Sequence, residues 1–173
     1  MMMRASVSLT AILLSVLPIW AQDAAGGKAD STWKKLDFLL GKWTSSAGAK
    51  DTPHGAGHGG FSFEAQLNGK IVVRRNVADY DSGVQHEDLM VIYAGGEPAT
   101  PHAIYFDTEG HVIRYNLTFP APNHAVFESD GTQPGPRYRL TYWLEGSALN
   151  GEFEVAPPGS GYKAYLNWTS KRD

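Results

Sequence analysis

An all-β, antiparallel up-and-down barrel of about ten strands is the fold this sequence predicts, and three observations carry the prediction. Beyond Gly41 the apolar residues recur at period two in short segments, the signature of half-buried strands. Gly, Pro, Asn and Asp separate those segments at short intervals, so the strands must run antiparallel, because a parallel step needs a dozen or more residues. No second helical pattern interrupts the series. A sheet this wide with one apolar face splits into a sandwich or closes, and short connections throughout favour closure of a simple meander.

The elements follow in chain order. Trp33, Leu36 and Leu40 recur at helical offsets, with Ser31 or Thr32 as a possible N-cap and Gly41 as a stop, which predicts one short helix. Lys42–Ser46 is the first strand. Gly55–Gly60, flanked by His54, reads as a mobile loop. Phe61–Leu67 alternates apolar and polar, and Asn68-Gly69 behind it is a strong hairpin signal, since a type I′ turn needs φ > 0 at both central positions. Lys70–Tyr80 is its partner. Asp81-Ser82-Gly83 then turns the chain into His86–Tyr93. A loop, Ala94–Pro101, leads to His102–Asp107, and Thr108-Glu109-Gly110 turns into His111–Phe119. His124–Ser129, Arg137–Leu144, Leu149–Val155 and Tyr162–Ser170 complete the set, separated by Asp130-Gly131, Glu145-Gly146-Ser147 and Pro157–Gly161.

The start of the chain has a different layout. Met1-Met2-Met3-Arg4, an apolar run from Val7 to Trp20, and Ala21 before polar sequence predict a secretory signal peptide over residues 1–21, with Ala24 or Ala25 as alternative cleavage points. The run is shorter than the ~20 apolar residues of a membrane-spanning helix. Residues 22–31 read as a flexible leader and 32–173 as the barrel. Cleavage leaves about 150 residues, one core's worth. The expected setting is therefore the periplasm or the medium, with no membrane span once the signal is gone. The chain has no Cys, which excludes disulfide staples, thiolate catalysis and a lipid-bearing N-terminal Cys. Net charge is −3 with no basic run, so nothing points to nucleic acid.

Leu36-Asp37-Phe38-Leu39-Leu40-Gly41-Lys42-Trp43-Thr44, together with "LNGK" at Leu67–Lys70, "VIY" at Val91–Tyr93 and "YFDTEG" at Tyr105–Gly110, carries a family likeness. The chain resembles the calycin superfamily of lipocalins, fatty-acid-binding proteins and nitrobindin-like domains, and in particular a bacterial family of uncharacterised lipocalin-like domains, over about Trp33 to Lys171. The resemblance implies that Gly41 and Trp43 mark the barrel base. It also implies that Trp43 closes that base against a basic side chain late in the last strand. Arg172 or Lys171 stands where that partner belongs, and the contact would contribute ~1 kcal/mol.

Pocket candidates follow from asking which polar residues share a face with apolar ones. On Lys70–Tyr80, Ile71, Val73, Arg75 and Val77 form one face; Val72, Arg74, Asn76, Ala78 and Tyr80 form the other. If the first face points inward, Arg75 is buried and must pair with a protein carboxylate (Glu87 or Asp79) or with a ligand's. If the second does, Arg75 is solvated. Tyr115, Tyr138, Tyr142 and Trp168 lie on the apolar faces of their strands, where their polar tips could orient a ligand. His86, in line with Met90 and Ile92, and His102, in line with Ile104 and Phe106, could also be interior. The expected partner is a small hydrophobic or amphipathic molecule.

The sequence also bounds the alternatives. His54 and His58 are four apart, but in a Gly-rich loop that fixes no geometry, and His86-Glu87 is the nearest further pair; no metal is assigned. Nitrobindin-like barrels hold haem through a proximal His, so haem is a cofactor the resemblance leaves open. No nucleophile elbow, zinc-protease, P-loop or dinucleotide motif occurs. Asp107 reads as turn chemistry, its carboxylate accepting from turn amides. Three functions stay in play: a binding module, a haem-dependent or cyclase-like enzyme on the same barrel, and a cavity-free structural domain.

Overall fold

The computed structural model describes residues 33–48, 50–96, 99–132 and 134–173. The predicted signal and leader, and the predicted caps Ser31 and Thr32, lie outside them. The strands are β1 (Gly41–Ala47), β2 (Gly57–Gln66), β3 (Ile71–Tyr80), β4 (Gln85–Gly95) and β5 (Thr100–Asp107), followed by β6 (Val112–Ala121), β7 (His124–Ser129), β8 (Arg137–Glu145), β9 (Ala148–Ala156) and β10 (Lys163–Arg172). Each pairs antiparallel with its sequence neighbours, and β1 pairs with β10, so the sheet closes into a barrel with no free edge.

Alternation decides the inside. Phe61 and Phe63, Val72 and Arg74, Met90 and Ile92, Ile113, Tyr115 and Leu117, and Leu140 and Tyr142 are all buried. The rings interlock edge to face: Phe63 with Tyr142 at 5.5 Å, Phe127 with Tyr142 at 6.3 Å and Tyr115 with Phe127 at 6.2 Å between centroids.

One end of the barrel is plugged. Leu36, Phe38 and Leu39 are buried there with Trp43. Trp43 donates its indole N–H to the Leu39 carbonyl (2.8 Å), and the Arg172 guanidinium lies 4.2 Å from the centre of its ring. Arg172 also donates to the carbonyls of Leu40 and Phe38. The side chain that closes the base thus ties the plug to the last strand, with Trp43 and Arg172 directly opposed in the β1–β10 register. Gly41, at φ 119°, makes room for Arg172: a Cβ there would stand 2.7 Å from the guanidinium.

Three local expectations are corrected. The described residues contain no helix element in the plug: Trp33 and Lys34 have helical backbone, and the chain continues to Leu39 in turns. Its hydrogen bonds run from Leu36 to Trp33 and from Leu39 to Leu36, three residues apart rather than four, as a segment curled under a barrel mouth requires. Of Gly55–Gly60, the stretch from Gly57 onward is strand rather than mobile loop. Its glycines serve close approach, since a Cβ on Gly59 would fall 2.1 Å from the Val77 carbonyl oxygen. The β2–β3 connection is longer than a two-residue turn. Gln66 and Ile71 are the last paired residues, and Leu67, Asn68 and Gly69 take φ of 52°, 55° and 76°. No helix among the described residues is long and apolar enough to cross a membrane.

Candidate functional site

The end of the barrel opposite the plug holds a cavity of about 390 Å³. Ile113, Leu140, Phe153, Val155, Leu166 and Trp168 supply its apolar wall. Trp168 fits flat over β9 because Gly151 has no side chain; a Cβ there would lie 2.1 Å from the indole. Tyr138 stacks on Phe153 (5.8 Å, 9° between planes). Val84 and Tyr165, both partly exposed, border the open end.

The facing wall is polar and comes from β3, β4 and β5. Asp88, with 3 % of its side chain exposed, is the hub. One carboxylate oxygen pairs with the Arg74 guanidinium; the other accepts from Asn76 Nδ2 at 3.0 Å and lies 3.2 Å from His86 Nε2. The register explains the cluster: Asn76 stands opposite Asp88 and Ala78 opposite His86, so Arg74 reaches Asp88 on the diagonal. His86 Nε2 is also 3.1 Å from the Tyr105 hydroxyl, and Nδ1 is 3.0 Å from both Glu109 carboxylate oxygens.

The charges follow from these contacts. The hydrogen bond to Asp88, and then that to Glu109, push the His86 pKa up to about 9 against the opposing effect of burial, so His86 is an imidazolium at neutral pH. Burial disfavours the Arg74 charge, but Asp88, Tyr142 and Tyr105 more than offset it and raise the pKa further. Burial, reinforced by the Asp88 charge, pushes the Tyr105 and Tyr115 hydroxyls well above their usual range, and burial holds Tyr142 up at about 12. All three are therefore protonated donors. Arg74 Nε and the Tyr142 hydroxyl are buried without a hydrogen bond of good geometry, although the Arg74 charge acts on the Tyr142 oxygen.

The predicted site residues separate into four groups. His86, Tyr115, Tyr138 and Trp168 line the cavity. Tyr142 is fully buried but does not line the cavity; it packs among Phe61, Phe63 and Phe127 beside Arg74. Arg75 and His102 point outward, correcting the expectation that they face the interior. Arg75 is exposed, and the second face of β3 is the inner one. His102 bonds to Thr100 and Asn116 on the outer surface and packs on Tyr93. Gly41, Trp43 and Arg172 meet at the base.

Sequence reasoning missed Arg74, Asn76, Asp88, Tyr105 and Glu109, yet a signal for the first two was present. A hairpin centred on Asn68-Gly69 places Arg74 opposite Phe63 and Asn76 opposite Phe61, as the structure does. Cross-strand partners share a face, so two inward phenylalanines bring Arg74 inward with them. Asp88 sits on the same alternation as His86 and Met90.

Haem does not suit His86. An axial ligand needs a ring nitrogen open to the cavity, and here Nε2 is bound to Asp88 while Nδ1 is held by the Glu109 carboxylate.

Among solved structures the chain is similar to the crystal structure of Rv2717c from M. tuberculosis, at a TM-score of 0.58 and 13% sequence identity, covering 85% of this chain and 98% of that one. At that identity the likeness shows the fold alone. No protein-family model matches the chain, and a search of curated proteins found no match.

Proposed function

We propose that this barrel is a binding module for a small, largely apolar molecule that carries one neutral hydrogen-bonding group, acting outside the cytoplasm after signal removal. The observation behind this reading is the division of one cavity into an apolar wall and a pre-ordered polar wall. Its volume of about 390 Å³ lies within the ~300–1,000 Å³ usual for small-molecule sites. The calycin likeness of the sequence, in a closed ten-strand barrel, supports the same reading.

The polar group is neutral for an electrostatic reason. A carboxylate ligand would suit an unpaired interior arginine, but Arg74 already holds Asp88, and His86 is shared between Asp88 and Glu109. A second anion would meet those carboxylates in a medium that screens poorly. A hydroxyl or carbonyl instead finds the Tyr105 hydroxyl and the His86 edge without disturbing either pair.

The test is native mass spectrometry of the chain from Gln22, purified from the exported fraction, followed by displacement of the neutral dye N-phenyl-1-naphthylamine. A co-purifying mass is expected. So is stronger displacement by dodecanol than by dodecanoate, with both effects weakened at least about tenfold in Val155→Trp, which fills the cavity. A wild-type chain that is empty and takes up neither dye nor alcohol overturns the reading. Stronger displacement by dodecanoate overturns the neutral-group assignment.

A further inference from the structure

We propose that His86, Asp107 and Glu109 form a site for one divalent transition-metal ion, of the zinc class, at the polar side of the cavity. One ligand atom from each residue lies within 4.8 Å of the others, which is the spacing a single ion can gather. The site shares His86 and the polar wall with the reading above, but it needs no organic ligand to be tested.

Placement comes from the sheet. Asp107 ends β5 directly opposite Asp88 on β4, and the following turn, Thr108-Glu109-Gly110, folds Glu109 back toward the β4 residue two positions nearer the opening, His86. The turn is held by the Thr108 N–H donating to the Glu87 carbonyl (3.0 Å) and the Gly110 N–H donating to the Asp107 carbonyl (3.1 Å). Asp107 is fixed too: its side chain is 5 % exposed, and its two oxygens accept from the His111 backbone N–H and bond His111 Nδ1, each at 2.8 Å. Each of those oxygens keeps a further lone pair.

The second observation lies outside the triad. A metal-binding histidine characteristically donates its other ring N–H to a carboxylate, which fixes the tautomer and aims the ring. His86 does this through Nε2 to Asp88, which is buried and locked in turn by Arg74 and Asn76. The other ring nitrogen, Nδ1, is thereby directed at the Glu109 carboxylate, 3.0 Å away, with Asp107 in the same cluster. An ion placed between them would bridge these three groups. One imidazole nitrogen with two carboxylates suits zinc or a neighbouring first-row ion, whereas calcium and magnesium prefer all-oxygen sets. Two carboxylates and a neutral imidazole also balance a dication. His111, largely exposed, holds one oxygen of Asp107 through its Nδ1 and so steadies that carboxylate.

The experiment is calorimetric titration of the chelator-stripped full barrel with zinc chloride, alongside the visible spectrum of the cobalt(II) form. One ion per chain is expected, with affinity at least about tenfold weaker in Glu109→Gln and in His86→Gln, each checked for native circular dichroism. Glu109 is partly exposed, so its variant keeps the fold and carries the test if His86→Gln does not. Excess calcium or magnesium should not compete. No saturable zinc binding overturns the proposal. So does one-to-one binding that survives both variants and is lost in His54→Gln/His58→Gln.

Discussion

Replacing Asp88 with asparagine keeps the side-chain shape but removes the charge on which the polar wall is organised. Three donors converge on that carboxylate, and two of them, Arg74 and His86, are cationic. Arg74 is 5 % exposed and packs 5.2 Å over the Phe61 ring, so its charge stays largely out of water when its partner is neutralised. Breaking a buried pair in this way costs about 3–5 kcal/mol, because the remaining charge stays buried and uncompensated. Arg74→Met should cost less, about 1–3 kcal/mol, since Asp88 keeps His86 and Asn76 and the thioether fills most of the arginine's space. The double variant should then be more stable than the sum of the two losses by about 2 kcal/mol or more. Urea unfolding at pH 7, followed by tryptophan fluorescence, reads all four corners of this cycle. In a domain of this size the Asp88→Asn loss corresponds to a fall in Tm of roughly 10 °C. An Asp88→Asn protein within about 1 kcal/mol of wild type at unchanged m-value, or strict additivity in the cycle, would refute the claim that the wall is built on this pair.

Other predictions rest on separate parts of the barrel. His86 has a folded-state pKa of about 9, above its ordinary value, so its contribution is fully present below about pH 6.5 and is lost as pH rises through 9. With 22 % of the imidazole and 41 % of the Glu109 side chain exposed, solvent screening reduces this to about 1–2 kcal/mol. In chelator, the Tm advantage of wild type over His86→Gln should therefore shrink by several degrees between pH 6.5 and 9.5; parallel curves would count against the imidazolium. Arg172→Gln loses the contact with Trp43 and weakens the ties to the Phe38 and Leu40 carbonyls, and should lower stability by about 1–2 kcal/mol in urea. Gly59→Ala drives a methyl into the Val77 carbonyl and should cost about 3 kcal/mol or prevent folding, while Gly131→Ala, where nothing lies within 4 Å, should be close to neutral by thermal melt.

How much of this was legible in the chain depends on the range of the interaction involved. Strand positions and the antiparallel order are set locally, by period-two alternation and turn residues, so about ten strands could be anticipated from the sequence, whereas closure of the base by Trp43 against Arg172 or Lys171 was implied by the family resemblance. The inner faces of β6 and β8 were plainer, because Ile113-Tyr115-Leu117 and Tyr138-Leu140-Tyr142 gather most of the bulky apolar residues on one side, although Val112 and Trp143 fall on the other. On β3 both faces offer valines and an arginine, so its own composition does not choose between them. The choice is made by pairing with Phe61 and Phe63 across the hairpin, which places Arg74 inside and Arg75 in water. Gly57–Gly60 misled for a similar reason: glycine permits flexibility in isolation, but here it permits the close strand contact that only the assembled sheet reveals.

The sequence by itself determined an antiparallel meander and the aromatic filling of its core, because each follows from contacts between neighbours in the chain or from the repeat of the pattern. The base, by contrast, joins the first strand to the last and was expected only from the family resemblance. Only the tertiary structure decided the site. Asp88 becomes the hub of a buried charge network, and His86 meets Asp107 and Glu109, when β3, β4 and β5 are laid side by side in one register. A shift of a single residue in that register would turn every one of those groups to the opposite face.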